Sequence, residues 1–378
     1  MRRNRATILL LPMLAAVVGL VAVPAVSVAA PTDVTVQRIF GADRYATSAA
    51  IARDTFGTSA TPIHRAVIAN GQDFPDAVMG ANFLSGYYGS GPVLLTRAHV
   101  VPQPILDVIT ALGIPRLEIF GQTDVVDLAV QQRLQTLVGV YGTAGAVDRT
   151  SGTDRYATAA AVARSSFDPE ANQLARLDGK NTAFLVSGVS ASDAIAAAPL
   201  TYAVRKGGVQ PLVDGKFPLL LTQPDVLSVA TRNVLLSIRS GEGRHIEQVI
   251  VVGGPGAVSA AVLTQINALG ISTRRIQGVN RQATAVAVAE FAIQTLGWNP
   301  AHVNLARGDD SADAISAGPH AGEELGPLLF TLSPGQLGAA TTDFLRAHAG
   351  VTQSIDVLGG PGAVSDAVVA EARIAAAG

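Results

Sequence analysis

The 378-residue chain contains no cysteine, which excludes disulfides, thiolate metal sites and cysteine nucleophiles. Aromatic residues make up only 5%, too few for a stacked-ring carbohydrate platform and more in keeping with helices packed closely on sheets. Charge is sparse and nearly balanced, with 27 Lys plus Arg against 29 Asp plus Glu. A mildly acidic protein does not attract polyanions through its overall field, so nucleic-acid binding finds no support. The six histidines, His64, His99, His245, His302, His320 and His348, do not repeat and show no HExxH or HxH spacing. No GxSxG elbow precedes a helix either. What remains is a chain 48% hydrophobic and rich in glycine, the composition of a packed globular protein.

The first residues read as an export signal, 1–29. Met1-Arg2-Arg3-Asn4-Arg5 is a basic start, an apolar run follows to Val23, Pro24 breaks it, and Ser27-Val28-Ala29 offers small residues for cleavage. The competing reading is an uncleaved anchor, since the run nearly reaches membrane-spanning length. Loss of Arg2, Arg3 and Arg5 with the leader takes the charge from −2 to −5.

The rest is one unit written three times, expected at 34–148, 149–275 and 276–378. Gly41-Ala42-Asp43-Arg44-Tyr45-Ala46-Thr47 returns as Gly152-Thr153-Asp154-Arg155-Tyr156-Ala157-Thr158, and again as Gly278-Val279-Asn280-Arg281-Gln282-Ala283-Thr284. Glycine, then Asp or Asn, then small helix formers is a helix start capped by the Asx side chain. A β-type run follows in each copy (66–69, 183–186, 303–306), leading to Asn70-Gly71, Ser187-Gly188 or Arg307-Gly308 and then to Asp76, Asp193 or Asp313. Short apolar runs ending at Thr96, Thr222 and Thr331 read as central strands buried on both faces. Helices are expected at 105–112, 226–238 and 336–348, and a third strand at 117–120, 249–252 and 355–358. That strand runs into Gly121-Gln122, Gly253-Gly254 or Gly359-Gly360, with Asp127, Ser259 and Ser365 capping a last helix. Buried strands alternating with helices predict a parallel α/β fold: three small doubly wound modules with right-handed crossovers. Linkers fall near 143–148 and 272–275, and 205–214 reads as a surface insertion.

In such sheets ligands bind beyond the carboxyl ends of the strands, where helix N-termini also point. Every recurring polar residue falls there, giving three equivalent sites or one composite site. Candidate ligand contacts are Arg44, Arg155 and Arg281, because a first-turn arginine opposes the helix dipole and a cap does not need one; the alternative is a salt bridge from one unit to a capping Asp of another. Asn70, Gly71, Gly188, Gly308, Thr96, Thr222 and Thr331 share the edge, as do Asp76, Asp193 and Asp313, whose simplest role is capping. Gly253-Gly254-Pro255-Gly256 invites a dinucleotide reading but lacks the third glycine, Ser259 standing there, and Pro255 removes an amide.

These motifs resemble the cell wall-binding repeat 2 family, found on clostridial surface proteins and secreted actinobacterial proteins. The resemblance covers nearly all of the chain after the leader. It implies Toprim-like modules in a pseudo-threefold arrangement and non-covalent, non-catalytic attachment to an anionic wall polymer, teichoic-acid-like or another glycopolymer. It also ties Leu94-Leu95, Leu219-Leu220 and Leu328-Leu329 to attachment; their apolar character makes them core. The expected location is the cell wall or surface, without cofactor or metal, and without membrane contact once the leader is cleaved. The rival is an exported wall hydrolase using Asp73, Asp309 or Asp310, each unmatched in at least one other copy.

Overall fold

The fold is seen in a computed structural model that describes residues 33–57, 63–84, 89–139, 147–166, 174–202, 215–238 and 245–378. The leader and the insertion at 205–214 lie outside the described residues. The first stretch runs β1 (Thr35–Ile39), α1 (Arg44–Phe56), β2 (Ala66–Asn70), α2 (Phe74–Leu84), β3 (Val93–Thr96), α3 (Gln103–Ala111), β4 (Leu117–Phe120) and α4 (Leu128–Gly139). The second runs β5 (Val147–Thr150), α5 (Arg155–Ser165), β6 (Arg176–Leu177), β7 (Lys180–Ser187), α6 (Ala191–Tyr202), β8 (Leu219–Thr222), α7 (Val229–Leu236), β9 (Gln248–Val252) and α8 (Ala260–Asn267). The third runs β10 (Ser272–Ile276), α9 (Arg281–Leu296), β11 (His302–Arg307), α10 (Gly318–Glu324), β12 (Leu328–Thr331), α11 (Ala339–Ala347), β13 (Ser354–Leu358) and α12 (Asp366–Ala377). The expected α/β class and its parallel strands are present in all three repeats.

Each repeat builds a parallel sheet with the same order. The sheets are β3-β2-β4-β5, β8-β7-β9-β10 and β12-β11-β13-β1, with the two-residue β6 added antiparallel to β7. The fourth strand of every sheet therefore comes from the segment that leads into another repeat's arginine motif. β5 pairs with β4, β10 with β9, and β1, from the start of the described chain, with β13 near its end. The segments expected as linkers overlap β5 and β10. Their sequences, VDRT and STRRI, are mostly polar, with one buried apolar residue each, as suits a partly exposed edge strand.

Side chains alternate across each sheet. In the second, Phe184, Val186, Leu219 and Leu221 enter a core shared by all three repeats, while Leu185, Leu220, Val249 and Val251 enter a separate outer one. In the third, Leu328 and Phe330 face the shared core, and Val303, Leu305 and Leu329 an outer one. The shared core is closed by α2, α6 and α10, each of which packs against the other two. Small residues allow it: a Cβ on Gly318 would meet the methyls of Ala81 at 2.6 Å and Ala198 at 3.3 Å. The strand leucines, Leu94-Leu95 among them, are wholly buried, so their contribution to any binding is through the core.

A second arginine, six positions before the motif arginine, recurs in every copy. Arg149 Nη1 donates to the carbonyls of Gly121 (2.7 Å) and Gln122 (3.2 Å), and Nη2 to that of Val126 (2.8 Å). Arg275 binds Gly253 and Val258 in the same way, and Arg38 binds Gly359 and Val364. The arginine of each fourth strand thus clamps the loop after the third strand of the sheet it joins.

Candidate functional site

The motif explains itself locally. Asp43 accepts from the amides of Tyr45 (3.1 Å) and Ala46 (2.9 Å), Asp154 from Ala157 (2.7 Å), and Asn280 from Ala283 (2.9 Å), so all three are N-caps. The motif threonine accepts from the motif glycine: Gly41 to Thr47 (3.1 Å), Gly152 to Thr158 (3.0 Å), Gly278 to Thr284 (3.0 Å). A Cβ on any of these glycines would lie within 2.5 Å of the motif alanine, which explains both residue types.

The motif arginine then reaches across to the loop after the first strand of its own repeat. Arg44 Nη1 donates to the Gly71 carbonyl at 2.7 Å, Arg155 to Gly188 at 2.7 Å and Arg281 to Gly308 at 2.8 Å. One nitrogen is thereby fixed on backbone while the fork stays partly in solvent: Arg44 and Arg155 are half-buried, and Arg281 is exposed. Among the described residues only Arg155 of the three has an ion-pair partner, Asp73 at 3.0 Å.

Where repeats meet, the arginine of one faces the aspartate of another. Arg155 acts on Asp76, Arg281 on Asp193, and Arg44 on Asp313. These aspartates are not caps. Asp76 and Asp193 lie within the first turns of α2 and α6, and Asp313 in the turn before α10. Each carboxylate is tucked against the glycine that follows its third strand; a Cβ on Gly121, Gly253 or Gly359 would come within 2.9 Å of it. Those glycines have φ of +95°, +115° and +123°, a backbone region that side chains strain. Burial raises Asp76 to about 6, aided by Asp73 and opposed by Arg155. Burial likewise raises Asp193 to about 6 against Arg281, and raises Asp313.

The three seams share a plan and differ in charge. The first is a cleft of about 170 Å³ lined by Asp73, Asp76, Asp124 and Asp154 around Arg155. At the seam of Asp193 and Arg281 the matching positions carry Ser190, Gly256 and Asn280. At the seam of Asp313 and Arg44 they carry Asp310, Gly362 and Asp43.

Other expected contacts are placed elsewhere. Thr96, Thr222 and Thr331 are fully buried, a correction to their reading as polymer contacts. Thr96 Oγ1 donates to the carbonyls of Arg97 and Val100, and Thr222 to that of Val226 (3.0 Å); the Thr331 hydroxyl is buried without a partner among the described residues. Asn70 is buried as well: its amide donates to the Val125 carbonyl (2.8 Å) and its oxygen accepts from Gln72 (2.9 Å). Gly71, Gly188 and Gly308 serve through their carbonyls, as arginine anchors. The carboxylates of the hydrolase reading are dispersed. Asp73 pairs with Arg155, Asp309 with Arg307 at 2.7 Å, and Asp310 caps the Ala312 amide at 3.0 Å.

The family model for cell wall binding domain 2 (CWB2) matches residues 38–131, 149–263 and 275–369. The chain belongs to the CWB2 family. The CWB2 chain is 34% identical over 222 residues to N-acetylmuramoyl-L-alanine amidase LytC of Bacillus subtilis (strain 168), a match covering 59% of this chain and 38% of the amidase. Its fold is shared with Cwp6 from Clostridium difficile, at TM-score 0.71 and 21% identity over 91% of this chain and 48% of that one. Cwp8 from the same organism gives TM-score 0.69 and 18% identity, covering 91% and 52%. The CWB2 chain thus spans about half the length of these clostridial proteins, and less of the amidase. Among the described residues no helix is long and apolar enough to cross a membrane.

Proposed function

We propose that the chain attaches non-covalently to the bacterial cell wall by holding an anionic glycopolymer across the seams between its CWB2 repeats, without turning it over. The reading rests on one repeated arrangement: a motif arginine fixed by a glycine carbonyl, with the rest of its fork presented at a seam. A prefixed guanidinium suits phosphate or carboxylate, since less rotamer freedom is lost on binding. The seam of Asp193 and Arg281 is the strongest of the three, although its motif departs furthest from the other two. Arg281 is exposed, its cap is the neutral Asn280, and Ser190 and Gly256 stand where the first seam has Asp73 and Asp124. Arg44 and Arg155 are weaker contacts because carboxylates compete for them. Three tethered contacts multiply retention even when each is weak, and the meeting of α2, α6 and α10 supports a pseudo-threefold display.

Purified walls and salt-dependent pull-down test this. Arg281→Ala should lower retention about tenfold, the loss of one charge-assisted contact, and more than Arg155→Ala. Asn280→Asp should weaken binding several-fold without moving the unfolding midpoint, because Asp and Asn cap equally well. Retention unaffected by either change would sink the seam as the anion site. The identity to LytC keeps an amidase-type activity as the second reading: turnover of wall material, abolished by Asp73→Asn, Asp309→Asn or Asp310→Asn, would replace binding with hydrolysis.

A further inference from the structure

At the seam where the first repeat meets the third, a group of polar side chains lies outside the polymer-facing edge. His320 of α10 is fully buried. Its Nδ1 lies 2.9 Å from Thr55 Oγ1 of α1. That hydroxyl already donates its single proton to the Ile51 carbonyl at 2.7 Å, so it accepts from the ring and Nδ1 carries the hydrogen. Nε2 then turns toward carboxylates, 3.3 Å from Asp356 Oδ2 and 3.8 Å from Glu324 Oε2. Among the described residues neither Nε2 nor Glu324 Oε2 has a hydrogen-bond partner. Asp54 of α1 completes the group: one ligand atom each from Asp54, His320 and Asp356 lie within 4.8 Å of one another. Asp54 is itself oriented by Gln37 of β1.

Nothing in the repeat demands polar residues here. Seven positions after the seam aspartate, where the third repeat has His320, the first has Phe83 and the second Leu200, both buried. Ten positions after the motif arginine, where the first repeat has Asp54, the others have Ser165 and Phe291. The register is sound, because Ala81, Ala198 and Gly318, each five after the aspartate, are the residues that meet at the centre. An apolar seam would serve the fold, and this one carries three carboxylates around a buried imidazole. Even a protonated ring would leave that group two negative charges in excess, and two facing acceptors 3.3 Å apart call for a cation between them.

We propose that Asp54, His320 Nε2 and Asp356, with Glu324 beside them, bind one zinc-class divalent cation that clips the first repeat to the third. Imidazole with carboxylates is a donor set for Zn²⁺ rather than Mg²⁺ or Ca²⁺. The Nδ1–H bond to Thr55 is the kind of outer contact that fixes a ligating ring. The clip falls at the one seam whose two sides are brought together from opposite ends of the described chain, where holding the chain closed removes the most loop freedom.

The test uses the full chain without a histidine tag, stripped with chelator and dialysed against Zn²⁺. One Zn²⁺ per chain at micromolar free metal is expected, with a rise of a few degrees in unfolding midpoint that chelator reverses. His320→Gln and Asp54→Asn should each weaken binding about 10–100-fold, and Asp107→Asn, on the exposed face of α3, should not. Asp54→Asn lies on the partly exposed side of α1, so it keeps the test valid should the His320 variant misfold. Absence of bound Zn²⁺, undiminished binding in both variants, or Ca²⁺ or Mg²⁺ binding in preference to Zn²⁺ would each overturn the site.

Discussion

Asp193→Asn should stabilise the protein by about 2–3 kcal/mol at neutral pH. The folded protein raises Asp193 from 3.8 to about 6, chiefly because burial penalises its charge, and each pKa unit corresponds to about 1.4 kcal/mol. The sign follows from proton counting. Between pH 4 and pH 6 the folded state holds a proton that the unfolded chain has released, so stability falls as pH rises across that window and stays low above it. Asparagine keeps the shape and removes the charge. Its unfolding free energy should lack the decline that wild type shows between pH 4 and 6. Asp76→Asn should behave alike, for the same cause, and the two effects should nearly add because the sites lie at different seams. Wild-type stability that is flat from pH 4 to 7, or an Asp193→Asn protein no more stable at pH 7, would contradict the burial argument.

The same titration reaches the binding reading. Protonating Asp193 removes the carboxylate that opposes Arg281, so retention on an anionic polymer should rise as pH falls from about 7.5 to 5.5, the range around the Asp193 pKa of about 6. Asp193→Asn should bind at the higher pH as wild type does at the lower.

The elements legible in the sequence were those whose signal is local. Leu219–Thr222 reads as a central strand because both faces are buried, and α1, α5 and α9 begin where Asp43, Asp154 and Asn280 cap them. β1, β5 and β10 escaped because an edge strand with one wet face has no apolar run, and because the partner of β1 is about three hundred residues away. Thr96 and Thr222 show why repetition alone misleads: a hydroxyl at a strand end that satisfies itself on the next loop recurs for the sake of the fold. The clamp arginines Arg38, Arg149 and Arg275 carried a readable signal, the constant six-residue offset from the motif arginine, and it went unused. The seam aspartates looked like caps because Asp near a helix start usually is one; their burial against a glycine from another strand is a tertiary fact. The His320 group has no sequence signature at all, its members being spread from α1 to β13.

Removal of residues 1–40 should lower stability by about 3–6 kcal/mol and do so unevenly. The segment buries Val34, just before β1, and Ile39 within it, side chains worth about 1.5–3 kcal/mol each when withdrawn from water. It also supplies Arg38, whose loss releases the carbonyls of Gly359 and Val364, and it covers the open edge of β13. Only the third sheet depends on that strand; the first and second take their fourth strands from β5 and β10. Amide exchange should therefore speed up in β11, β12 and β13 while β2, β3 and β4 keep their protection. Equal protection of the first and third sheets after truncation would mean that β1 merely lies along β13. Selective loss would show that one end of the chain completes the fold of the other, and Arg38→Ala should reproduce part of it with the strand still present.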